Sequence, residues 1–341
     1  MPPMTILALG LILATPQDRA PQKYRLVTPK EDGISAAALN NKGAIVGGEW
    51  YEEDDKPGQM AERAIYAEGD EITRIPLLEG YTSTFPLALS DQGRVAGRVS
   101  KPAPPNSKVF MRTQAFVWEK GKGIRGLGVL EGDMASMASG ISRDGTVVAG
   151  ATMGQNVMRV CLWQWKDGAW KGMALPFDKG MTGSTVAISP DARNVAALDG
   201  ALPCLWTRNK SGQWEREVIG GTGEMAPRAV NDSGLVVGVA TTPDGLSHAK
   251  VWSRDKGMKT LEKPPGYVHS EALAVNNQGV VVGMVDGPHG SEIGPDPFVF
   301  EGGKLRILDE LGPFLGIATA INDRGEIAGV VTREEEAAPE K

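Results

Sequence analysis

A ten-residue stretch, AVNDSGLVVG at residues 229–238, constrains the fold most, because close copies of it recur from one end of the chain to the other. The steps between successive copies are 50, 52, 47, 42, 45 and 46 residues, and periods in this range are typical of propeller blades. The turn position of the copies is occupied by Gly43, Gly93, Gly145, Ala192, Gly234, Gly279 and Gly325.

The local chemistry of each copy predicts a β-hairpin. In each copy an apolar run ends at Asn or Ser, and two polar residues follow. A residue with positive φ is then needed before a β-branched run, and glycine adopts that conformation without a Cβ clash. Ala192 is the exception in the series. We therefore expect the hairpin at residues 188–196 to be altered or weaker.

Two further strands are predicted in each period. A short strand ending in an aromatic residue, such as Ala115–Trp118 or Ala249–Trp252, precedes a tight turn and an alternating strand such as Lys304–Leu308. The aromatic side chains are expected to form the core between blades, since they bury the most area per residue. No segment shows sustained 3.6-residue apolar periodicity, so helix content should be near zero.

The fold prediction is an all-β, seven-bladed β-propeller over residues 23–332, with about four antiparallel strands per blade. Tyr24–Thr28 corresponds to the strand that follows the aromatic strand in each repeat, but no aromatic strand precedes it. The last repeat stops after Val331, before its own aromatic strand. The last blade is therefore expected to be closed by strands from both termini and to hold three strands. This closure would remove open sheet edges.

Residues 1–22 are predicted to be a leader, and residues 333–341 a charged tail. The apolar run Thr5–Ala14 is shorter than the ~20 residues that span a bilayer, but it suits the h-region of a secretory signal. Two features argue against a cleaved signal. No Lys or Arg precedes the run, and a cut after Ala14 would have Ile12 at the third position before it, where a small residue is usual. The alternatives are an extra strand or a disordered leader.

The two cysteines, Cys161 and Cys204, occupy equivalent places in neighbouring repeats. Equivalent side chains point the same way round a ring of blades, so one would face its neighbour while the other faced away. We expect both to be buried and unbridged.

Three recurring elements resemble the HAF repeats of bacterial extracytoplasmic proteins. They are the pattern Asn-x-x-Gly-x-Val-Val-Gly, the strand Ala115–Trp118 and the segment GLGVLEG at residues 126–132. The resemblance covers about residues 23–332 and implies a β-propeller at or outside the cell envelope, with no established chemistry. The Ala-Phe-x-Trp element is intact only once, which leaves a neighbouring propeller family open. WD40 is disfavoured, since no paired Gly-His and Trp-Asp signals accompany the period.

Composition and motifs narrow the function classes. The chain has 36 basic and 42 acidic residues and no basic cluster along the sequence, so nucleic acid and anionic membranes are not expected partners. The three histidines are not spaced for a metal, no cofactor is expected, and dinucleotide, phosphate and serine-nucleophile motifs are absent. Ca²⁺ at the Asn/Asp turns stays an open alternative, although each turn offers few carboxylates.

Strand direction predicts that the long connections share the face opposite the Asn-Asp-x-Gly turns. Loops on a rigid scaffold often carry function, so this face is the predicted contact surface. Aromatic residues beside carboxylates would suit a sugar or a basic peptide, although each loop could also be a tolerated insertion. The candidate contact residues are Trp50, Tyr51, Glu52, Glu53, Asp54, Asp55, Tyr81, Tyr267, His269 and His289.

The leading hypothesis is a secreted or envelope-associated, monomeric, non-catalytic propeller that acts as a binding or structural module for a protein or carbohydrate. The alternative is a carbohydrate-active enzyme, a glycoside hydrolase or lyase. Its carboxylate pair would come from residues 52–55, Glu79, Asp133 or Asp178 and would need a separation of about 5–9 Å.

Overall fold

The structure, a computed structural model, describes residues 11–13, 25–27, 34–52, 60–102, 111–180, 185–288, 295–308 and 314–333. These residues form 28 β-strands in seven four-stranded sheets, and they contain no helix. The expected near absence of helix is confirmed for this part of the chain. It follows that none of the described residues belongs to a helix that could cross a bilayer.

Two short strands, β1 (Leu11–Leu13) and β2 (Arg25–Val27), come first in the chain. The strands after them form six blades, each built from four strands consecutive in sequence. Blade 1 consists of β3 (Ile34–Leu39), β4 (Ile45–Glu52), β5 (Met60–Glu68) and β6 (Glu71–Arg74). Blade 2 consists of β7 (Ser83–Leu89), β8 (Arg94–Pro102), β9 (Met111–Glu119) and β10 (Gly123–Gly126). Blade 3 consists of β11 (Ala135–Ile141), β12 (Val147–Met153), β13 (Met158–Lys166) and β14 (Ala169–Ala174).

Blades 4 to 6 follow the same plan, with the first strand of each nearest the ring axis. Blade 4 consists of β15 (Ala187–Ile188), β16 (Asn194–Asp199), β17 (Leu202–Arg208) and β18 (Trp214–Val218). Blade 5 consists of β19 (Ala226–Val230), β20 (Val236–Thr241), β21 (Ser247–Ser253) and β22 (Gly257–Thr260). Blade 6 consists of β23 (His269–Val275), β24 (Val281–Asp286), β25 (Asp296–Glu301) and β26 (Lys304–Ile307).

The closing sheet corrects the fold prediction. Continuous sequence forms six four-stranded blades, not seven, and the remaining sheet is a composite in the order β2-β1-β28-β27, where β27 is Phe314–Ile321 and β28 is Ile327–Arg333. This composite sheet, called the closing sheet below, has four strands rather than three. The extra strand is β1, which pairs with β28 (Leu11 with Ala328) and with β2. An apolar run assigned to a leader therefore fills the ladder position that the prediction left vacant.

Aromatic side chains at the ends of the third strands lie between blades, as expected from the sequence. Trp163 and Trp206 are fully buried, and Trp118 and Trp252 are nearly so. Burying a large apolar side chain contributes roughly 2–3 kcal/mol, so these residues stabilise the packing of neighbouring sheets. The predicted state of both cysteines is confirmed as well, since Cys161 and Cys204 are free and buried.

A β-bulge in the innermost strand explains a second recurrent glycine, the last residue of each Val-Val-Gly run. In blade 3 the register shifts between Ala138 and Gly140, and a Cβ on Gly150 would lie 2.0 Å from the Met137 carbonyl oxygen. The same shift occurs in every other blade except blade 4. There the register is regular, and Ala197 occupies the glycine position.

The hairpin at Ala192 differs from the others, as its sequence predicts. Ala192 has a φ of 59°, in the left-handed region that disfavours residues with a Cβ. Its innermost strand, β15, has 2 residues, whereas those of the other blades have 5 to 8.

Candidate functional site at the ring axis and the linker face

The seven Asn- or Ser-led hairpins share one end of the ring, called the turn face. The first turn residue caps its own hairpin: the Asn276 Oδ1 accepts hydrogen bonds from the Gln278 and Val280 N–H groups at 3.1 and 2.9 Å. The second turn residue of each hairpin lies towards the axis. These second residues are Asn41, Asp91, Arg143, Pro190, Asp232, Asn277 and Asp323.

Asparagine side chains at the first turn position link neighbouring blades. The Nδ2 of Asn231 donates to the Asn276 carbonyl at 3.0 Å, and that of Asn276 donates to the Asn322 carbonyl at 3.1 Å. Asn322 donates to Asn40 at 2.9 Å, and Asn40 donates to the Ser90 carbonyl at 3.0 Å. All four asparagines are buried, so these bonds satisfy polar groups that would otherwise be costly.

A second chain of hydrogen bonds passes through the second turn position. The N–H groups of Asp232, Asn277, Asp323 and Asn41 each donate to the side-chain oxygen of the next blade's residue, at 2.8–2.9 Å. The chain continues from Asp91 N–H to the Arg143 carbonyl. It then runs from Arg143 N–H to the Pro190 carbonyl, and from Asp191 N–H to Asp232 Oδ1. Every interface between neighbouring sheets is therefore bridged on the turn face.

Arg143 brings a guanidinium to the centre of this ring. It donates to Asp323 and lies 3.7 Å from Asp91 and 3.8 Å from Asp232. Burial, together with the charge of Asp191, raises the pKa of Asp232. The turn-face carboxylates are thus held by backbone N–H groups and one shared cation.

A cavity of about 110 Å³ lies at this ring, lined by polar turn residues such as Asn41, Asp91 and Arg143 as well as by apolar side chains. Its volume is enough for several waters. The apolar residues that line it are Leu39, Leu89, Ile141, Ile188, Val275 and Ile321. In the part of the chain that the structure describes, no group of three or more His, Cys, Asp or Glu side chains could hold a metal ion.

The opposite end of the ring, called the linker face, carries the segments that join one blade to the next. Three of these linkers are fixed by a side-chain hydrogen bond or ion pair to equivalent positions on the third strand of the following blade. The pairs are Tyr81 Oη to Gln114 Oε1 at 2.7 Å, Arg159 to Asp133, and Tyr267 Oη to Asp296 Oδ2 at 2.6 Å.

The linker between blades 3 and 4 is held by a buried carboxylate instead. Asp199 accepts hydrogen bonds from the N–H groups of Asp178, Lys179 and Gly180 at 2.8–2.9 Å, and it pairs with Arg216 at 3.0 Å. A carboxylate bound by three N–H groups and a guanidinium fixes the path of the linker.

These fixed linkers expose apolar side chains that the sequence analysis did not single out. Leu77 is 53% exposed, Val129 43%, Met134 64% and Phe177 38%. They lie in three successive linkers, between blades 1 and 2, 2 and 3, and 3 and 4. Their position after the fourth strand of a repeat is the signal that could have identified them.

The sequence-predicted contact residues are only partly described. Tyr81 and Tyr267 have hydroxyl groups engaged in the contacts that fix the linkers, and His269 begins β23, where its Nδ1 accepts from Ser247 N at 3.2 Å. The backbones of Trp50, Tyr51 and Glu52 belong to β4, but their side chains, and the whole of Glu53, Asp54, Asp55 and His289, lie outside the described residues. Use of these residues as ligand contacts stays a prediction.

The acids of the enzyme alternative are dispersed among different surroundings. Asp133 has a fully buried side chain paired with Arg159, and Asp178 pairs with Arg216. Glu79 is exposed. Asp133 and Asp178 are therefore held as the partners of arginines.

The fold and the closed turn face define the chain as a β-propeller protein. No known protein-family profile matches it, and no curated protein sequence matches it either. Among solved structures, a puromycin hydrolase S511A mutant complexed with PGG matches with a TM-score of 0.56 at 11% identity, over 84% of this chain and 50% of that one.

Two archaeal structures are also similar. The acylaminoacyl peptidase of Pyrococcus horikoshii has a TM-score of 0.52 at 11% identity, over 88% of this chain and 52% of that one. The β-propeller domain of the Trilobed protease from Pyrococcus furiosus has a TM-score of 0.50 at 11% identity, over 74% of this chain and 77% of that one. The chain spans about half the length of the hydrolase and the peptidase. At this identity the similarity shows the β-propeller fold alone.

Proposed function

We propose that this protein is a non-catalytic, extracytoplasmic β-propeller of the HAF-repeat type that acts as a monomeric binding or structural module through its linker face. The observation that carries the proposal is the set of exposed apolar side chains on fixed linkers. Met134 lies beside Asp133, whose buried carboxylate is paired with Arg159. Phe177 lies beside Asp178, whose N–H group is bound by Asp199.

Apolar side chains on fixed linkers are suited to recognition. A linker backbone held in place before binding loses less conformational freedom on association, so more of the contact energy contributes to affinity. The four side chains lie in three successive linkers on one face of the ring, so one partner surface could contact them together. Leu77, Val129 and Met134 offer no stacking ring, which favours a protein partner over a carbohydrate.

Two features weigh against the carbohydrate-active alternative. Asp133 and Asp178 each form an ion pair with an arginine, so each carboxylate already has a structural partner. The turn-face carboxylates Asp91, Asp232 and Asp323 surround Arg143 in the same way. Extracytoplasmic placement is supported by the resemblance to HAF repeats.

Thermal unfolding of the full chain, with parallel product analysis, tests the non-catalytic part of the proposal. The protein would be incubated with oligosaccharides, cell-wall fragments, and Ca²⁺ or a chelator. We expect no new reducing ends or unsaturated products. A ligand present at about 100 times its Kd would stabilise the fold by about 2.7 kcal/mol. Turnover that is lost in Glu79→Gln or Asp178→Asn would contradict the proposal and favour the enzyme.

A further inference from the structure

A basic cluster that is not visible along the sequence assembles on the outer rim between blades 5 and 6. A groove of about 660 Å³ separates β22 of blade 5 from the β25–β26 hairpin of blade 6. Lys259, Lys263 and Lys304 line it, and Glu262 is its one acidic lining residue. Among the ion pairs of the described residues, none of these three lysines has a carboxylate partner. This concentration of positive charge stands out in a chain whose formal charge is −6.

The floor of the groove is apolar. It is formed by Val251, Leu261, Phe300 and Leu305, which belong to or pack against the core between blades 5 and 6. Leu261 is buried, whereas the other three are half-buried and present apolar surface to the groove. A cationic rim above an apolar floor suits a ligand that is both acidic and apolar.

One wall of the groove is an open strand edge. β22 is the last strand of its sheet, so in the described structure its outer edge is not paired with another strand. An extended peptide can add to such an edge through main-chain hydrogen bonds, and its side chains then alternate between two faces. Lys259 and Leu261, two positions apart, both line the groove, so every second side chain of the added peptide would face it, acidic at the lysines and apolar over the floor.

We propose that this groove binds an extended acidic peptide segment of a partner protein, with its acidic side chains at the lysines and its apolar side chains on the floor. The volume lies within the range of about 300–1,000 Å³ that is usual for ligand sites. A polyanionic glycan would use the lysines but not the floor, and is therefore the less favoured ligand. The groove includes the start of the linker between blades 5 and 6, but none of Leu77, Val129, Met134 and Phe177 lines it, so its test does not depend on the proposed function.

Fluorescence anisotropy with the full chain tests the site. The probe is a fluorescein-labelled peptide with the sequence acetyl-Glu-Ser-Leu-Ser-Glu-Ser-Leu-Ser-Glu-amide, at about 50 mM NaCl to limit screening. We expect saturable binding that Lys259→Glu/Lys304→Glu weakens at least about tenfold. Lys263 is left unchanged because its Nζ lies 2.8 Å from His248 Nδ1. The matched control, Lys166→Glu/Lys210→Glu, reverses two exposed lysines on other blades.

A second probe separates peptide recognition from simple charge attraction. In it each leucine is replaced by serine, and binding is expected to weaken at least about tenfold because the floor is no longer covered. The proposal is overturned if the leucine probe shows no saturable binding, or if the serine probe or heparin binds as tightly. It is also overturned if the control double variant loses as much affinity as Lys259→Glu/Lys304→Glu. Thermal unfolding midpoints confirm that each variant is folded.

Discussion

Arg143 in blade 3 donates a hydrogen bond to Asp323 in the closing sheet, so one side chain joins two sheets that are not neighbours in the ring. The same guanidinium lies within 4 Å of Asp91 in blade 2 and Asp232 in blade 5. A single positive charge on the axis therefore compensates three carboxylates that the repeats bring together. The Arg143–Asp323 contact therefore connects the closing sheet, which contains strands from both ends of the chain, to blade 3.

Arg143→Ala should destabilise the ring by about 1 kcal/mol, because three carboxylates then lack their shared cation while the site remains partly solvated. The loss should shrink when NaCl is raised from about 50 mM to about 500 mM, since salt screens their repulsion. Chemical denaturation at the two salt concentrations measures both effects. Arg143→Lys is the matched control and should lose less. If the loss of stability were the same at both NaCl concentrations, charge compensation would not be the role of Arg143.

Gly150→Ala should destabilise the fold by about 2 kcal/mol or more, because the new Cβ would stand 2.0 Å from the Met137 carbonyl oxygen in a tightly packed strand pair. Gly221→Ala is the control, since the closest atom to its new Cβ would be a Glu224 side-chain atom at 3.4 Å. Urea unfolding midpoints compare the two. Equal tolerance of both substitutions would mean that the bulge does not require glycine.

Ala192→Gly should stabilise the protein by about 0.5–1 kcal/mol. Glycine adopts the observed φ of 59° without the left-handed strain of a Cβ. Thermal unfolding measures the change, with Gly234→Ala in blade 5 as the reverse substitution, expected to destabilise. A lower midpoint for Ala192→Gly would show that the buried methyl group contributes more than the strain costs.

Glu49 should make stability depend on pH at the acidic end. Hydrogen bonds from Arg63, with further bonds from Arg74, lower the pKa of Glu49 from 4.5 to about 2 despite burial. A lowered folded-state pKa gives stability that is complete above about pH 4.5 and lost as pH falls through 2. The contribution is at most about 3 kcal/mol.

Denaturation of the wild type and of Glu49→Gln between pH 7 and about pH 2 checks this dependence. The two proteins should differ at neutral pH and converge in acid. A constant difference across the range would show that ionisation of Glu49 is not the cause.

Removal of residues 1–22 should lower the unfolding midpoint, because β1 would be lost from between β2 and β28. Differential scanning calorimetry of the full and shortened chains measures the effect. Mass spectrometry of the protein from its native host then shows which form exists. A shortened chain of equal stability, found as the mature form, would favour the leader over the strand.

The repeat predicted an all-β propeller because glycine at a left-handed turn has few substitutes and recurs at blade spacing, but its prediction of seven blades was wrong, since continuous sequence forms six. The composition of the closing sheet was not predictable, since an apolar segment such as Leu11–Leu13 has the same character as the h-region of a secretory signal. The second recurrent glycine, Gly150 and its equivalents, needed the bulge register before its role was evident.

The candidate surfaces were harder to predict, because the role of a surface residue depends on the side chains that the fold places beside it. Tyr81 and Tyr267 look like exposed ligand contacts in a loop, but their hydroxyl groups are hydrogen-bonded to Gln114 and Asp296. Lys259 and Lys304 lie in different repeats, and only the packing of blade 5 against blade 6 brings them to one groove. Met134 and Phe177 follow the fourth strand of their repeats, but only the structure shows that their side chains are exposed.

The most direct test of the account is site-specific photo-cross-linking in the native host. A benzophenone amino acid is placed at Met134 or Phe177 on the linker face, and at Lys42 or Gln92 on the turn face as matched exposed controls. The account predicts discrete cross-linked partners from both linker-face positions and none from the turn-face positions. Partners captured only from the turn face, or equally from both faces, would contradict the claim that the linker face is the recognition surface.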